Sequence, residues 1–133
     1  RGSDLPVAAK LSWLLAEFVR RNYGGSVYGK AQNLISEVRT AYDEALGDVD
    51  ALVMPTVPIK PPKAGGETGL EARLGQNSGP FVGANTAPFN ASHHPALTVP
   101  CGTVDGAPVG LMLVGERFDE VTLFRLASAY ERR

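Results

Sequence analysis

Apolar residues at Leu11, Leu14, Leu15, Phe18 and Val19 recur at three-and-four spacing, while Lys10, Glu17, Arg20 and Arg21 fall elsewhere on the wheel. That period predicts an amphipathic helix from Pro6 to about Asn22, with Asp4 as N-cap and Pro6 in the first turn, where its missing N–H is harmless. Gly24-Gly25 ends it. Ser26 is placed to cap a second helix running to about Leu46, with Val27, Ala31, Leu34, Ile35, Val38, Ala41, Tyr42 and Ala45 as its apolar positions and Gly47 as its stop. A short glycine turn between two helices predicts an antiparallel or steeply crossed pair.

The period then changes. The run from Asp50 to Met54, bounded by Pro55, is short and almost continuously apolar, the pattern of a strand buried on both faces. Residues 55–80 hold five prolines and five glycines, which predicts a surface loop rather than a regular element. Around Thr86, Phe89 and Asn90 a helical turn or two fits, ending before Pro95. Two strands, Ala96 to Gly102 and Val109 to Gly115, flank Asp105-Gly106, a dipeptide suited to a tight hairpin turn with positive φ. Pro100 has no N–H for a ladder and is awkward in a fully paired central strand. Asp119 is placed to cap a last helix to about Glu131, with Val121, Leu123, Phe124, Leu126, Ala127 and Tyr130 on its apolar face.

The order is α-α-β-loop-turn-β-β-α, an α/β arrangement in which residues 1–47 form the helical pair and 48–133 the strands, loop and final helix of a single segment. Three strands, one of them apolar on both faces, need more covering layers than these helices provide. The expectation is a piece of a larger α/β fold.

Composition narrows the function classes. Thirteen Lys and Arg against fourteen Asp and Glu give a net charge of −1, with no excess to track a phosphate backbone, so no nucleic-acid partner is expected. No apolar run approaches the roughly 18 residues of a membrane span, and no signal peptide opens the chain. One cysteine forms no internal disulfide, which suits a cytoplasmic location.

Four groups of residues invite a chemical reading. Gly24-Gly25-Ser26 resembles a nucleophile turn, but a helix-to-helix turn with Ser26 as cap explains it without a base. His93, His94, Cys101 and Asp105 invite a metal or thiol site, yet adjacent imidazoles diverge and only one thiol exists. A buried thiol and two loop imidazoles explain them, and no metal or cofactor is expected. Asp43, Glu44, Asp48 and Asp50 read as a solvated helix end. Asn85, Thr86, Phe89 and Asn90 gather two amides, a hydroxyl and an aromatic ring before a proline-bounded strand. They either line a pocket that meets a substrate amide or cap a local turn over the core.

Four blocks occur in a telling order: Asp50-Ala-Leu-Val-Met-Pro-Thr, Pro88-Phe-Asn-Ala-Ser-His-His-Pro-Ala-Leu-Thr-Val-Pro-Cys-Gly, Gly106-Ala-Pro-Val-Gly-Leu-Met-Leu-Val-Gly-Glu and Phe118-Asp-Glu-Val-Thr-Leu-Phe-Arg-Leu-Ala-Ser-Ala-Tyr-Glu. In that order the chain resembles the carboxyl-terminal portion of amidase-signature enzymes, whose fold is a mixed β-sheet covered by helices. The resemblance implies hydrolysis of carboxamides by a Ser–Ser–Lys triad. No Gly-Gly-Ser-Ser run exists here, and Lys10, Lys30, Lys60 and Lys63 lack the family's lysine context, so no catalytic residue carries over. Asn85, Thr86, Phe89 and Asn90 become candidate substrate-binding residues. The implied partners are the missing amino-terminal portion of the same enzyme and a small amide; apart from the resemblance, strands exposed on both faces associate, so a second copy against them is also expected. Two departures stand out. His93 replaces the family's usual glycine at a position that wants positive φ. Gly83 takes the place of the aspartate found in the family's glutamine-specific members, which favours a general amidase. The rival is a self-standing binding module using the Gly/Pro-rich loop; a Cys101 thiol hydrolase is a third reading.

Overall fold

The computed structural model describes residues 5–60 and 82–132. Its elements are α1 (Val7–Tyr23), α2 (Ser26–Leu46), β1 (Leu52–Pro55), α3 (Ala87–Ser92), β2 (Ala96–Val104), β3 (Ala107–Val114) and α4 (Glu120–Glu131). The α/β class and the element order follow the sequence pattern. Asp4 and residues 61–81 of the Gly/Pro-rich stretch lie outside the described residues; Thr56 to Lys60 follow β1 without regular structure. The chain forms two units, Arg1–Ser36 and Glu37–Arg133, with α2 running through the boundary.

In the first unit Pro6 occupies the N-cap position of α1, and its carbonyl accepts from the Lys10 N–H. Gly24, at φ 60°, turns the chain out of the helix in a backbone region that a side chain disfavours. Arg20 and Arg21 sit in the last turn, where the helix dipole favours cations. Both donate to Glu17 and hold its carboxyl down to about 2, through the Arg20 hydrogen bond first and the Arg21 one second. Ser26 is already helical, and its Oγ donates to the Tyr23 carbonyl at 2.8 Å, so it does not accept as a cap would. On the apolar stripe of α1, Leu11, Leu14, Leu15 and Phe18 are all exposed.

The second unit is built on one antiparallel sheet of order β1-β3-β2. Asp105 and Gly106 have φ 53° and 79°, the two positive values of the tight hairpin turn their sequence predicts. Pro100 lies on the edge strand β2, where a missing donor is tolerated, next to a register irregularity between Pro100 and Thr103. The run at 52–55 is not buried on both faces. Burial alternates along β1 and Val53 is 60% exposed, because β1 is the other edge of an antiparallel sheet. Two-sided burial belongs to β3, whose Met112, Leu113 and Val114 are all enclosed.

Alternation along β3 separates two cores. Leu113 packs with Val99, Leu123 and Ala127 beneath α4, with Ala51, Leu97 and Leu111 around them. Met112 and Val114 pack with Phe89 on the opposite face, bordered by Tyr42, Leu52 and Met54. Helix α4 starts where the Asp119 carboxylate accepts the Thr122 N–H, as the sequence predicts. Between the sheet and α4 a groove of about 600 Å³ stays open, lined by Val53, Leu111, Leu113, Leu126 and Tyr130 and also by Asp48 and Asp50.

Candidate functional site

Short polar residues gather at α3. The Gly83 carbonyl accepts from the Thr86 and Ala87 N–H groups and from Thr86 Oγ1, which winds the chain into the helix, and Pro88 in the first turn forgoes a bond that would have been unmade. Phe89 faces inward and is 6% exposed. Its ring meets that of Tyr42 with centroids 5.0 Å apart. His93 ends the helix in the left-handed region, at φ 66° and ψ 22°, with its N–H on the Phe89 carbonyl. This is the positive φ expected where a glycine is usual.

A recess of about 270 Å³ opens beside α3, lined by Thr86, Phe89, Asn90, His94, Ala96, Thr98 and Met112. Three of the four candidate residues are therefore together. Asn85 does not line the recess; its Nδ2 donates to the Pro55 carbonyl at 2.7 Å and ties the turn to the end of β1. The Asn90 side chain is exposed at the mouth. Phe89 and Met112, both nearly buried, border the recess, and Thr86, Asn90 and Thr98 provide short hydrogen-bonding groups.

The histidines part company. His93 is exposed, whereas His94 is 4% exposed, with Nδ1 3.0 Å from Ser92 Oγ and Nε2 3.1 Å from Asp43 Oδ1. His94 lies in the loop between α3 and β2, as expected, but it is buried there against the Asp43 end of α2. Asp43 likewise is no mere solvated helix end. Arg117 grips its carboxylate with two hydrogen bonds, Nε to Oδ1 at 3.2 Å and Nη2 to Oδ2 at 2.9 Å. Sequence reading missed this cluster, because its members lie 51 and 74 positions apart.

Cys101 is exposed rather than buried, since the edge strand turns it outward, and its Sγ lies 3.5 Å from the Val109 carbonyl. Asp105 pairs with Lys60. His93, His94, Cys101 and Asp105 therefore do not converge, and among the described residues no group of three His, Cys, Asp or Glu side chains is arranged around a metal. Among them, too, no helix is long and apolar enough to cross a membrane.

The family model described as Amidase matches residues 6–124. An uncharacterised protein from the nthA 5′ region of Rhodococcus erythropolis is 43% identical over 109 residues, 82% of this chain and 54% of its own length. The enantioselective amidase of Rhodococcus rhodochrous is 36% identical over 128 residues, 96% of this chain and 25% of its own. The crystal structure of a glutamyl-tRNA(Gln) amidotransferase chain from Thermotoga maritima superimposes with a TM-score of 0.71 at 25% identity, over 98% of this chain and 28% of that one. The chain thus spans about half of the first relative and about a quarter of the other two. Matched from the start of α1 into α4, it belongs to the amidase-signature family.

Proposed function

We propose that these residues are the carboxyl-terminal part of an amidohydrolase that cleaves carboxamides to a carboxylic acid and ammonia or an amine. The single observation that supports this is the family match over residues 6–124. In this reading the chain supplies strands, helices and one wall of the substrate pocket, and the Ser–Ser–Lys groups belong to a portion these 133 residues do not contain. The recess beside α3 suits the role. Thr86, Asn90 and Thr98 offer partners to a neutral amide beside the nearly buried Phe89 and Met112.

The same reading favours a general amidase over a glutamine-dependent enzyme. Gly83 brings no carboxylate to hold a substrate ammonium, and among the described residues a Cβ there would approach only Thr86 Oγ1, at 3.8 Å. It also makes the enzyme cytoplasmic. The test is direct. The purified 133-residue chain is expected to hydrolyse neither propionamide nor benzamide, while the product of the gene's whole reading frame hydrolyses at least one. Turnover by the short chain that Ser26→Ala abolishes refutes the reading, as does an inactive whole product whose frame encodes no Gly-Gly-Ser-Ser stretch.

A further inference from the structure

Among the described residues, Ser92 and His94 are the buried polar side chains. A buried hydroxyl and imidazole each require a partner, and each partner here leads back to one face of α2. Arg39, Tyr42 and Asp43 occupy that face at three-and-four spacing. Arg39 Nε donates to the Ser92 carbonyl at 3.2 Å. The Tyr42 ring meets both Phe89 and His94, the latter at 5.6 Å between centroids. Asp43 Oδ1 faces His94 Nε2.

Proton positions follow from the partners. An ion-paired carboxylate only accepts, so Nε2 of His94 carries the hydrogen and donates it to Asp43. On its other side the ring meets Ser92 Oγ at 3.0 Å, a contact in which an unprotonated Nδ1 accepts from the hydroxyl. The connectivity is that of a Ser–His–Asp triad, but the chemistry is not. Ser92 is 0% exposed and does not line the recess, so no acyl carbon reaches its oxygen.

The geometry points to His94 as a positioning residue. The Asp43–His94–Ser92 relay anchors the last turn of α3 to α2 and so sets how Phe89 and Asn90, on that same six-residue helix, face the recess. His93, strained just beyond the helix, leaves α3 without a relaxed terminus of its own, which gives the relay its task. The bearing on amide selection rests on the function proposed above; the relay itself does not.

Nitrogen-15 spectra of the imidazoles in the 133-residue chain test it. The expected result is the tautomer of His94 with its hydrogen on Nε2 and Nδ1 unprotonated. Ser92→Ala is expected to shift the Asn90 side-chain amide and the Thr86 amide while leaving the Asp105-Gly106 turn unchanged, and Ser92→Thr to restore them. If Ser92→Ala does not fold, Asp43→Asn carries the same comparison, with Asp43→Glu as its rescue. A His94 protonated at Nδ1, or a lost hydroxyl that leaves Asn90 and Thr86 unmoved, overturns the assignment. Neither readout depends on amide turnover, so an inactive whole product leaves the relay standing.

Discussion

Replacing His93 by glycine is expected to stabilise the second unit. The residue sits at φ 66° and ψ 22°, where a Cβ crowds the following carbonyl at about 1–2 kcal/mol. Its side chain is exposed, and the bond that matters, from its N–H to the Phe89 carbonyl, survives the substitution. Against the relief stands the greater freedom that glycine loses on folding, about 0.5–1 kcal/mol. The balance favours His93→Gly by about 0.5–1 kcal/mol, a rise in melting temperature of about 2–8 °C for a unit of this size. The readout has to report this unit. Trp13 lies in the other one, so the amide signals of Met112 and Val114 through a urea series are the appropriate probe. His93→Asn is expected to fall between histidine and glycine, and His93→Val below histidine, since a β-branched side chain fits the left-handed region worst. An unchanged or lower midpoint for His93→Gly would show that the end of α3 is not strained.

Other substitutions probe the sheet, the core and the first helix. A Cβ on Gly110 would lie 2.6 Å from Thr56 Oγ1 and 2.7 Å from Thr98 Cγ2, both on stiff β-branched side chains. Gly110→Ala is therefore expected to destabilise by about 1–3 kcal/mol, and an unaltered urea midpoint would refute the close approach. Leu123 is 2% exposed beneath α4, and Leu123→Ala is expected to lower stability by about 2–5 kcal/mol on the same assay. The Glu17 carboxyl is held below its ordinary 4.5, at about 2, first by the Arg20 hydrogen bond and then by that of Arg21. Its support for α1 is thus fully present above pH 4.5 and is lost as the pH falls through 2. Trp13 fluorescence should follow that loss, and Glu17→Gln should abolish it.

What the sequence revealed is what local chemistry decides. Asp105-Gly106 permits one kind of turn, Asp119 precedes an apolar period, and His93 stands where a left-handed backbone is needed; all three are in place. The candidate site was half legible for the same reason, since Phe89 and Asn90 share one short helix and Thr86 stands at its N-cap. Asp43 was not legible. Nothing near it in the chain distinguishes it from Glu44, and its role comes from an imidazole and a guanidinium brought in from distant segments. The strand at 52–55 shows a different failure. A continuous apolar run does not say which of its faces a neighbour will cover, and here β3 took the central place.

That central strand has a further consequence. Successive residues of β3 serve opposite sides, Leu113 toward α4 and Met112 and Val114 toward Tyr42 and Phe89. Sliding it by a single position against either neighbour would turn every one of these side chains to the wrong layer at once. The wall of the recess and the packing of the final helix are therefore set by the same alignment, and evolution cannot retune one of them by shifting the strand without dismantling the other.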